Sequence, residues 1–541
     1  MTRALTVRDL LAFLDGPASF ALIDVREKGE YNLGQIESAS PVPLGDLEWR
    51  IGELVPNYKA PIVLYCSDGR RSEIAADTLV KLGYQDVTYL GGGLVAWQSA
   101  GQPTHYGWGV RGKDYGEKVA VTEKIPQITP EEMVARQEKG ERFVVLDSRT
   151  PSEYEQGHLP GACSVPGGQL PFEAMDLIGD KDPTVVVNCA GRTRSLLGAH
   201  LLRRMGIPKV AALQNGTLAW QEAGYALERG PDPRPSHPPS LLARERAEKF
   251  AQCVASEDRI SSLLPAELLA LQQSGALHYL IDVRLPREYA TGHIPGAMLC
   301  PAGQLQFFSE ELIGIRTAPI IMGCDGRVRG ILSASLYHRM GLPNVSFLEG
   351  GVTAWTQAGL PLDIGVPQRP IGRPTRRVPG LAEAQAQVTL LAPFALKYRL
   401  YRADAPLILD VRGSGDYALG HLPGARWLSR SYLELRISKL APNKERPLVT
   451  VCDDGVRSVL AAARLQDLGY RKVEVLAGGL PAWAAAAYPL EEGLADAPVS
   501  LEVARWDLVD PFQRRNALAF TSEEVKQLMA WETALGDKYE R

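Results

Sequence analysis

Long apolar runs and basic clusters are both missing from this sequence. No stretch approaches the roughly 18 consecutive apolar residues of a transmembrane helix, and the N-terminal segment shows no signal-peptide pattern. The net charge is −4, and no Lys/Arg run is long enough to attract a polyanion. We therefore expect a cytoplasmic protein that binds neither nucleic acid nor membrane.

Cysteine is scarce, and the usual cofactor motifs are absent. The chain has seven cysteines in 541 residues, an odd number that favours reduced thiols over a disulfide framework. No metal-ligand spacing, phosphate-binding loop or dinucleotide fingerprint occurs, so we expect no metal and no other cofactor. A chain of this length with 45% apolar residues is expected to form about three to five globular domains.

One pattern occurs four times along the chain. Each copy begins with an apolar segment ending in Asp-x-Arg, followed after 42 residues by a Cys and after another 31 by a Trp. The aspartates are Asp24, Asp147, Asp282 and Asp410, the cysteines are Cys66, Cys189, Cys324 and Cys452, and the tryptophans are Trp97, Trp220, Trp355 and Trp483. Invariant spacing in all four copies indicates a tandem array of one domain.

The distances between copies vary, which places the insertions in linkers outside the pattern. Segments rich in Pro and Arg at 230–240 and 365–380 separate the later copies, whereas the first join is less distinct. We assign repeats 1 to 4 to residues 1–110, 122–230, 255–366 and 382–495, and a helical tail to 496–541.

Strands alternate with helices in each repeat. In repeat 2, residues 184–188 (TVVVN) have the β-branched composition of a buried parallel strand, residues 195–206 have helical periodicity, and residues 210–216 form the next strand. This order predicts an α/β fold in which each repeat is a parallel sheet flanked by helices. The Cys loop then lies at the carboxyl end of the central strand, where open α/β sheets bind ligands.

The four loops share a chemistry suited to a nucleophilic sulfur. They read CSDGRRS (66–72), CAGRTRS (189–195), CDGRVRG (324–330) and CDDGVRS (452–458). A helix N-terminus and a nearby guanidinium both stabilise a thiolate. We predict Cys66, Cys189, Cys324 and Cys452 as catalytic, and as substrate-binding Arg70, Arg71, Arg192, Arg194, Arg327, Arg329 and Arg457. A buried Cys used as a small hydrophobe is the alternative, which fourfold recurrence disfavours.

Further motifs carry a resemblance to a known family over nearly the whole chain. Residues 147–166 (DSRTPSEYEQGHLPGACSVP), and the matching segments at 282–297 and 410–425, resemble the rhodanese superfamily of sulfurtransferases. Repeat 1 departs, with Gln35 where the others have His. The resemblance implies that each loop Cys takes the outer sulfur of thiosulfate or a similar donor, releases sulfite and holds a persulfide, which a thiol or cyanide then removes.

The resemblance implies a small anionic sulfur donor and a thiol acceptor, either a small molecule or a protein. Phosphatases of the same fold are disfavoured because their loops have five residues between Cys and Arg, whereas each loop here has four. A different class of function is the alternative: a sulfur-relay or protein-docking scaffold in which only some repeats are catalytic.

Formal loop charge ranks the four sites. The loop residues after Cys sum to +2 in repeat 2, +1 in repeats 1 and 3, and −1 in repeat 4. Because thiosulfate is a dianion, we expect Cys189 to be the most active and Cys452 to prefer a neutral or cationic donor, or to act as a relay. Gly330 replaces the Ser found at the helix start in the other loops.

The remaining recurrent residues are interpreted as structural. His158, His293 and His421 are expected to make hydrogen bonds in a tight turn, each Asp-x-Arg to form a buried ion pair, and each repeat Trp to fill the core. Cys163, Cys253 and Cys300 share no position, so we expect core thiols.

Overall fold

Each repeat of the computed structural model forms a five-stranded parallel β-sheet with helices packed on it. Numbered along each repeat, the strands lie in the order 1-5-4-2-3 across the sheet. The fourth strand is therefore the central one. The structure describes residues 2–16, 19–179, 183–234, 238–365, 367, 378–494, 497–508 and 521–540. The four sheets confirm the predicted α/β fold.

Repeat 1 contains strands β1 to β5 and helices α1 to α5. The strands are β1 Arg3–Leu5, β2 Ala21–Asp24, β3 Ser40–Pro41, β4 Ile62–Tyr65 and β5 Val87–Leu90. The helices are α1 Val7–Asp15, α2 Lys28–Asn32, α3 Leu47–Leu54, α4 Arg70–Lys81 and α5 Gly93–Ser99. Helix α6 (Val110–Thr122) follows.

Repeat 2 contains strands β6 to β10 and helices α7 to α11. The strands are β6 Gln127–Ile128, β7 Phe143–Asp147, β8 Cys163–Ser164, β9 Thr184–Asn188 and β10 Val210–Leu213. The helices are α7 Pro130–Glu138, α8 Pro151–Gln156, α9 Leu170–Ile178, α10 Thr193–Arg204 and α11 Gly216–Glu222. Helix α12 (Leu241–Glu257) follows.

Repeat 3 contains strands β11 to β15 and helices α13 to α17. The strands are β11 Ser261–Leu263, β12 Tyr279–Asp282, β13 Met298–Leu299, β14 Ile320–Gly323 and β15 Val345–Leu348. The helices are α13 Pro265–Gln273, α14 Pro286–Thr291, α15 Leu305–Leu312, α16 Val328–Arg339 and α17 Gly351–Gln357. Helix α18 (Leu381–Gln387) precedes repeat 4.

Repeat 4 contains strands β16 to β20 and helices α19 to α23. The strands are β16 Thr389–Leu391, β17 Leu407–Asp410, β18 Arg426–Trp427, β19 Leu448–Val451 and β20 Val473–Leu476. The helices are α19 Pro393–Arg399, α20 Ser414–Leu419, α21 Leu433–Leu440, α22 Val456–Asp467 and α23 Gly479–Ala485. In the tail, residues 509–520 lie outside the described residues, and the described part is helical as predicted, with α24 (Leu501–Asp507) and α25 (Ser522–Ala534).

The recurrent structural residues have the predicted roles. All four repeat tryptophans are buried, and Trp97 Nε1 donates to the Pro103 carbonyl at 2.8 Å. Each Asp-x-Arg is a buried ion pair, for example Arg149 with Asp147 at 2.7 Å. The His158 ring stacks on the Tyr154 ring and hydrogen bonds the Tyr154 carbonyl, and the histidines of repeats 3 and 4 repeat this arrangement.

Cysteines outside the loops differ from the prediction in part. Cys300 is a buried core thiol, Cys163 is half-buried, and Cys253 on α12 is exposed, so the expectation of a core thiol is wrong for Cys253. All seven cysteines are free, and all lie in the described residues. Among the described helices, none combines the length and apolarity needed to cross a membrane.

The repeats combine in two compact units that are not sequential along the chain. Unit A contains repeats 1 and 4 (residues 1–108 and 376–519), and unit B contains repeats 2 and 3 (residues 109–375) with residues 520–541. In unit A, the turn Leu44–Asp46 of repeat 1 meets the turn Arg430–Tyr432 of repeat 4. The equivalent turns, Gly167–Gln169 and Ala302–Gln304, meet in unit B.

Helix α24 is held between the equivalent helices α2 and α20 of unit A. The Asp507 carboxylate accepts hydrogen bonds from the Gly29 N–H at 2.5 Å and from the Ser414 N–H at 2.9 Å. A Cβ on Gly29 would lie 2.0 Å from the Val503 carbonyl oxygen, so only glycine permits this approach. Helix α24 therefore packs against repeats 1 and 4 through a carboxylate shared by both.

Candidate active site

Each loop cysteine lies directly after the central strand of its sheet, as predicted. Cys66, Cys189, Cys324 and Cys452 are between 0% and 2% exposed, and each loop leads into the longest helix of its repeat. The sequence places them there because the strand is a short apolar run that ends where the Gly-containing loop begins.

Each Cys loop packs against a glycine that begins the last helix of the repeat. In repeat 1 the Leu94 N–H donates to the Cys66 carbonyl at 2.8 Å, and a Cβ on Gly93 would lie 2.3 Å from that same oxygen. Gly93 also has a φ of +57°, in the left-handed region that favours glycine. Equivalent glycines occupy the other three repeats: Gly216, Gly351 and Gly479.

Polar groups of the loop lie close to the sulfur in repeats 1, 2 and 4. The Gly69 N–H donates to Cys66 Sγ at 3.2 Å, and the Ser458 N–H donates to Cys452 Sγ at 3.3 Å. The Ser72 hydroxyl donates to Cys66 Sγ at 3.6 Å, whereas the thiols of Cys189 and Cys452 donate to the hydroxyl oxygens of Ser195 and Ser458 at 3.5 and 3.1 Å. The groups that donate to sulfur, which are the Gly69 and Ser458 N–H groups and the Ser72 hydroxyl, favour a thiolate over a thiol.

Repeat 3 lacks this hydroxyl because Gly330 occupies the serine position. A Cβ on Gly330 would lie 3.5 Å from Cys324 Sγ, so a side chain there would contact the sulfur. Burial, and then the Asp325 carboxylate, raise the pKa of Cys324 to about 12, although the Arg329 charge and loop amides act in the opposite direction. Cys324 is therefore a thiol at neutral pH.

The last arginine of each loop forms an ion pair with a buried or half-buried carboxylate. Arg71 donates two hydrogen bonds of 2.7 Å to Glu30, and Arg194 donates two of 2.8 Å to Glu153. Burial alone would raise the pKa of each glutamate, but the paired arginine outweighs burial and lowers it to about 2. Arg329 pairs in the same way with Glu288 and also with Asp325.

Repeat 4 makes this ion pair differently. Its residue equivalent to Glu30 is Asp416, one methylene shorter, and Arg457 pairs with Asp46 of repeat 1 at 2.7 and 2.8 Å. Burial raises the pKa of Cys452 to about 11; the Ser458 hydroxyl lowers it and the Asp454 carboxylate, 3.5 Å from Sγ, raises it. A cavity of about 390 Å³ lies beside this acidic loop.

The other arginine of the loop differs between repeats 1, 2 and 3 in its burial and in its carboxylate partner. Arg192 is buried and donates to Glu117 on α6 at 2.7 and 2.8 Å, and Arg327 pairs with Glu248 on α12. Arg70 in repeat 1 is 70% exposed and pairs with its neighbour Asp68. The structure thus brings all seven predicted arginines to the loops, each paired with a carboxylate.

The contacts change the basis of the predicted ranking. Both positive charges counted in the Cys189 loop are balanced by buried carboxylates, Glu117 on Arg192 and Glu153 on Arg194. The charge of +2 counted from the loop residues alone therefore overstates the positive charge that an incoming dianion would meet. Helix α25 adds a further contact, because the Thr193 hydroxyl donates to Glu532 at 2.7 Å.

Several residues of the site were missed by the sequence reasoning. Glu30, Glu153 and Glu288 follow the strand-end Asp by six residues in every case, a constant spacing that could have identified them. Tyr432, whose hydroxyl donates to Glu30 at 2.8 Å, carries no such signal because it belongs to another repeat. Within the described residues, no cluster of three His, Cys, Asp or Glu side chains could hold a metal ion.

A family model agrees with the repeat pattern. The model described as a rhodanese-like domain matches four segments of the chain: residues 6–100, 129–223, 264–358 and 395–486. Together these segments cover more than half of the sequence.

Individual proteins extend this comparison. The crystal structure of a thiosulfate sulfurtransferase from Pseudomonas aeruginosa has a TM-score of 0.83 and 32% identity, covering 99% of this chain and 98% of that one. A putative mitochondrial thiosulfate sulfurtransferase of Schizosaccharomyces pombe is 36% identical over 93 residues, 15% of this chain and 66% of that protein. A probable adenylyltransferase/sulfurtransferase of Mycobacterium tuberculosis, MoeZ, is 35% identical over 99 residues. This match covers 18% of the present chain and 25% of MoeZ.

Proposed function

Because the chain belongs to the family of proteins built from rhodanese-like domains, we propose that it is a thiosulfate sulfurtransferase acting through a cysteine persulfide. The observation that carries the proposal is the surroundings of Cys66 Sγ, with a loop N–H at 3.2 Å and a serine hydroxyl at 3.6 Å. The whole-length similarity to the Pseudomonas aeruginosa thiosulfate sulfurtransferase supports the choice of donor.

The first half-reaction transfers one sulfur atom to the enzyme. The loop thiolate attacks the outer sulfur of thiosulfate, a new Sγ–S bond forms, and the S–S bond of the donor breaks. The electron pair of that bond leaves with sulfite, so a thiolate and a dianion become a persulfide anion and a sulfite dianion. The loop N–H groups that face Sγ also stabilise the anionic persulfide.

The second half-reaction returns the enzyme to its thiolate. An acceptor thiolate attacks the outer persulfide sulfur, forms the S–S bond of the product, and leaves the electron pair of the Sγ–S bond on the cysteine. Cyanide accepts the same sulfur atom as thiocyanate. No cofactor enters this scheme, since sulfur transfer between these species is balanced without another oxidant or reductant.

The proposal is tested by thiosulfate:cyanide transfer. The full chain should show turnover, and a variant with Cys66, Cys189, Cys324 and Cys452 all replaced by Ser should show none, whereas Cys253→Ser should behave like the parent. Aryl phosphate hydrolysis should remain at background in every variant. Full activity in the quadruple variant would overturn the mechanism, and a Cys-dependent phosphatase rate would overturn the reaction class.

A second candidate function is a sulfur-relay scaffold in which only repeats 1 and 2 take sulfur from thiosulfate. The observations favouring it are the raised pKa of Cys324, about 12, and of Cys452, about 11. A thiol that is not ionised is a poor nucleophile. In this version repeats 3 and 4 receive sulfur from another persulfide or bind a partner protein.

A further inference from the structure

Repeats 1 and 4 each place a side chain against the Cys loop region of the other repeat, and the two side chains occupy the same position of the fold. The residue 22 positions after the strand-end Asp is Asp46 in repeat 1 and Tyr432 in repeat 4. Asp46 accepts two hydrogen bonds from Arg457 in the repeat 4 loop, at 2.7 and 2.8 Å. Tyr432 in turn reaches the loop of repeat 1, so the exchange is reciprocal.

Tyr432 contacts both members of the repeat 1 ion pair. Its hydroxyl donates to Glu30 Oε2 at 2.8 Å, and the Arg71 guanidinium carbon lies 4.4 Å from the centre of its ring. Arg71 also donates to the hydroxyl of Ser67, the residue after Cys66, at 3.1 Å. Tyr432 is thus connected to the nucleophile loop of the other repeat through one ion pair and one hydrogen bond.

Asp46 has the corresponding connection to repeat 4. Arg457 is the second residue of α22 and precedes Ser458, whose N–H donates to Cys452 Sγ at 3.3 Å. Asp46 is buried, and it accepts hydrogen bonds from Nε and Nη2 of Arg457. The other repeats have Glu at the position of Asp416 and use it to pair with the last loop arginine. In repeat 4, Asp46 of repeat 1 pairs with that arginine.

Unit B has neutral residues at the exchanged position. Gln169 and Gln304 are the equivalents in repeats 2 and 3. There, Arg194 and Arg329 donate to Glu153 and Glu288, each within its own repeat. Charged or phenolic groups at this position are therefore a property of repeats 1 and 4, which supports a specific role in that unit.

We propose that Tyr432 and Asp46 are exchanged positioning residues: Tyr432 holds the Cys66 loop in its reactive geometry, and Asp46 holds the Cys452 loop. The contribution to sulfur transfer rests on the proposed function, whereas the positioning of the two thiols does not. The functional unit for repeats 1 and 4 is accordingly the pair, and each site contains one residue of the other repeat.

Two near-isosteric substitutions in the full chain test this. Alkylation by iodoacetamide is followed separately at Cys66 and Cys452 by peptide mass spectrometry across a pH series, which reads out thiol reactivity without sulfur transfer. Tyr432→Phe should slow the Cys66 reaction by about three- to tenfold, the effect of one lost hydrogen bond to a charged group, and leave Cys452 unchanged. Asp46→Asn should shift the pH midpoint of Cys452 downward, because the Arg457 charge loses its partner, and leave Cys66 unchanged.

The crossed pattern separates positioning from damage to a repeat. A substitution that merely disturbed its own repeat would change the cysteine of that repeat, so a Tyr432→Phe effect on Cys452 but not Cys66 would overturn the proposal, as would no change at either cysteine. Asp46→Glu, which keeps the carboxylate, should restore the parent midpoint at Cys452. Thiosulfate labelling of the same variants distinguishes the two proposals: a crossed alkylation pattern without any persulfide would overturn the proposed function alone.

Discussion

The guanidinium of Arg194 and the carboxylate of Glu153 form a bidentate ion pair that is almost completely buried behind the Cys189 loop. Their two hydrogen bonds are both 2.8 Å, and each side chain is 5% exposed. The same pair recurs between Arg71 and Glu30 and, with more exposure, in repeat 3. We infer that this arginine stabilises the loop, and that its charge reaches the substrate only in part.

Removing one partner of this pair should therefore cost stability. Glu153→Ala leaves Arg194 buried without its carboxylate, and we expect a loss of about 3 to 5 kcal/mol in the free energy of unfolding of repeat 2. Glu132→Ala, which breaks a largely exposed pair with Arg136 in the same repeat, should cost less than about 1 kcal/mol. Urea unfolding followed by circular dichroism compares the two, and equal losses would contradict this account.

The missing hydroxyl of repeat 3 can be restored. Gly330→Ser should place an oxygen beside Cys324 Sγ and raise its alkylation rate at pH 8 by roughly fivefold, the effect of one hydrogen bond to the thiolate. Gly330→Ala is the matched control, since it adds the Cβ without the hydroxyl. If the alanine variant reacts as fast as the serine variant, the hydroxyl is not what distinguishes the repeats.

Repeat 4 should require alkaline conditions. With a Cys452 pKa of about 11, the thiolate fraction and hence the rate of persulfide formation at Cys452 should rise about tenfold per pH unit between pH 8 and 10. Asp454→Asn removes the carboxylate nearest the sulfur and should move this profile to lower pH. The measurement is persulfide on the Cys452 peptide after brief exposure to thiosulfate; a flat profile would contradict the raised pKa.

Unit A should lose stability as the pH rises through neutrality. Burial, and then the nearby Asp507, raise the pKa of Glu27 from 4.5 to about 7, while the Ser429 hydroxyl acts in the opposite direction. Because the folded state holds the proton more tightly, its stabilising contribution is complete below pH 4.5 and is lost as the pH rises through 7. Wild-type protein should thus weaken relative to Glu27→Gln by about 2 kcal/mol between pH 5 and pH 7.5.

Urea midpoints of the two proteins at both pH values test the Glu27 prediction. The midpoints should be similar at pH 5 and should separate at pH 7.5, with the glutamine variant the more stable. Parallel changes in the two proteins would show that another group is responsible.

Local sequence signals predicted much of the fold. The β-branched run at 184–188 is strand β9 at its predicted bounds. Strands such as β3 and β8 were missed because two residues are too short to show a period. The constant spacing from Asp to Cys located the four loop cysteines, each of which directly follows the central strand of its sheet.

The partners of the site residues were less predictable. The loop charges were counted correctly, but most of the carboxylates that pair with the loop arginines come from other elements, such as Glu117 on α6. The combination of repeat 1 with repeat 4 is a property of packing between domains, which no local pattern encodes. For this reason Asp46 and Tyr432, although equivalent in the repeat, could not be identified as site residues from the sequence.

The most direct test of the account is to count and locate the sulfur atoms that thiosulfate adds to the full chain at pH 7.5. Intact mass followed by peptide mapping should find persulfide on the loop cysteines, last on Cys324 and Cys452, because burial raises the pKa of Cys324 to about 12 and that of Cys452 to about 11. The exposed Cys253 is the internal control and should remain unmodified. An absence of added sulfur on all four loop cysteines, or sulfur on Cys253 alone, would contradict the assignment of these loops as sulfur-transfer sites.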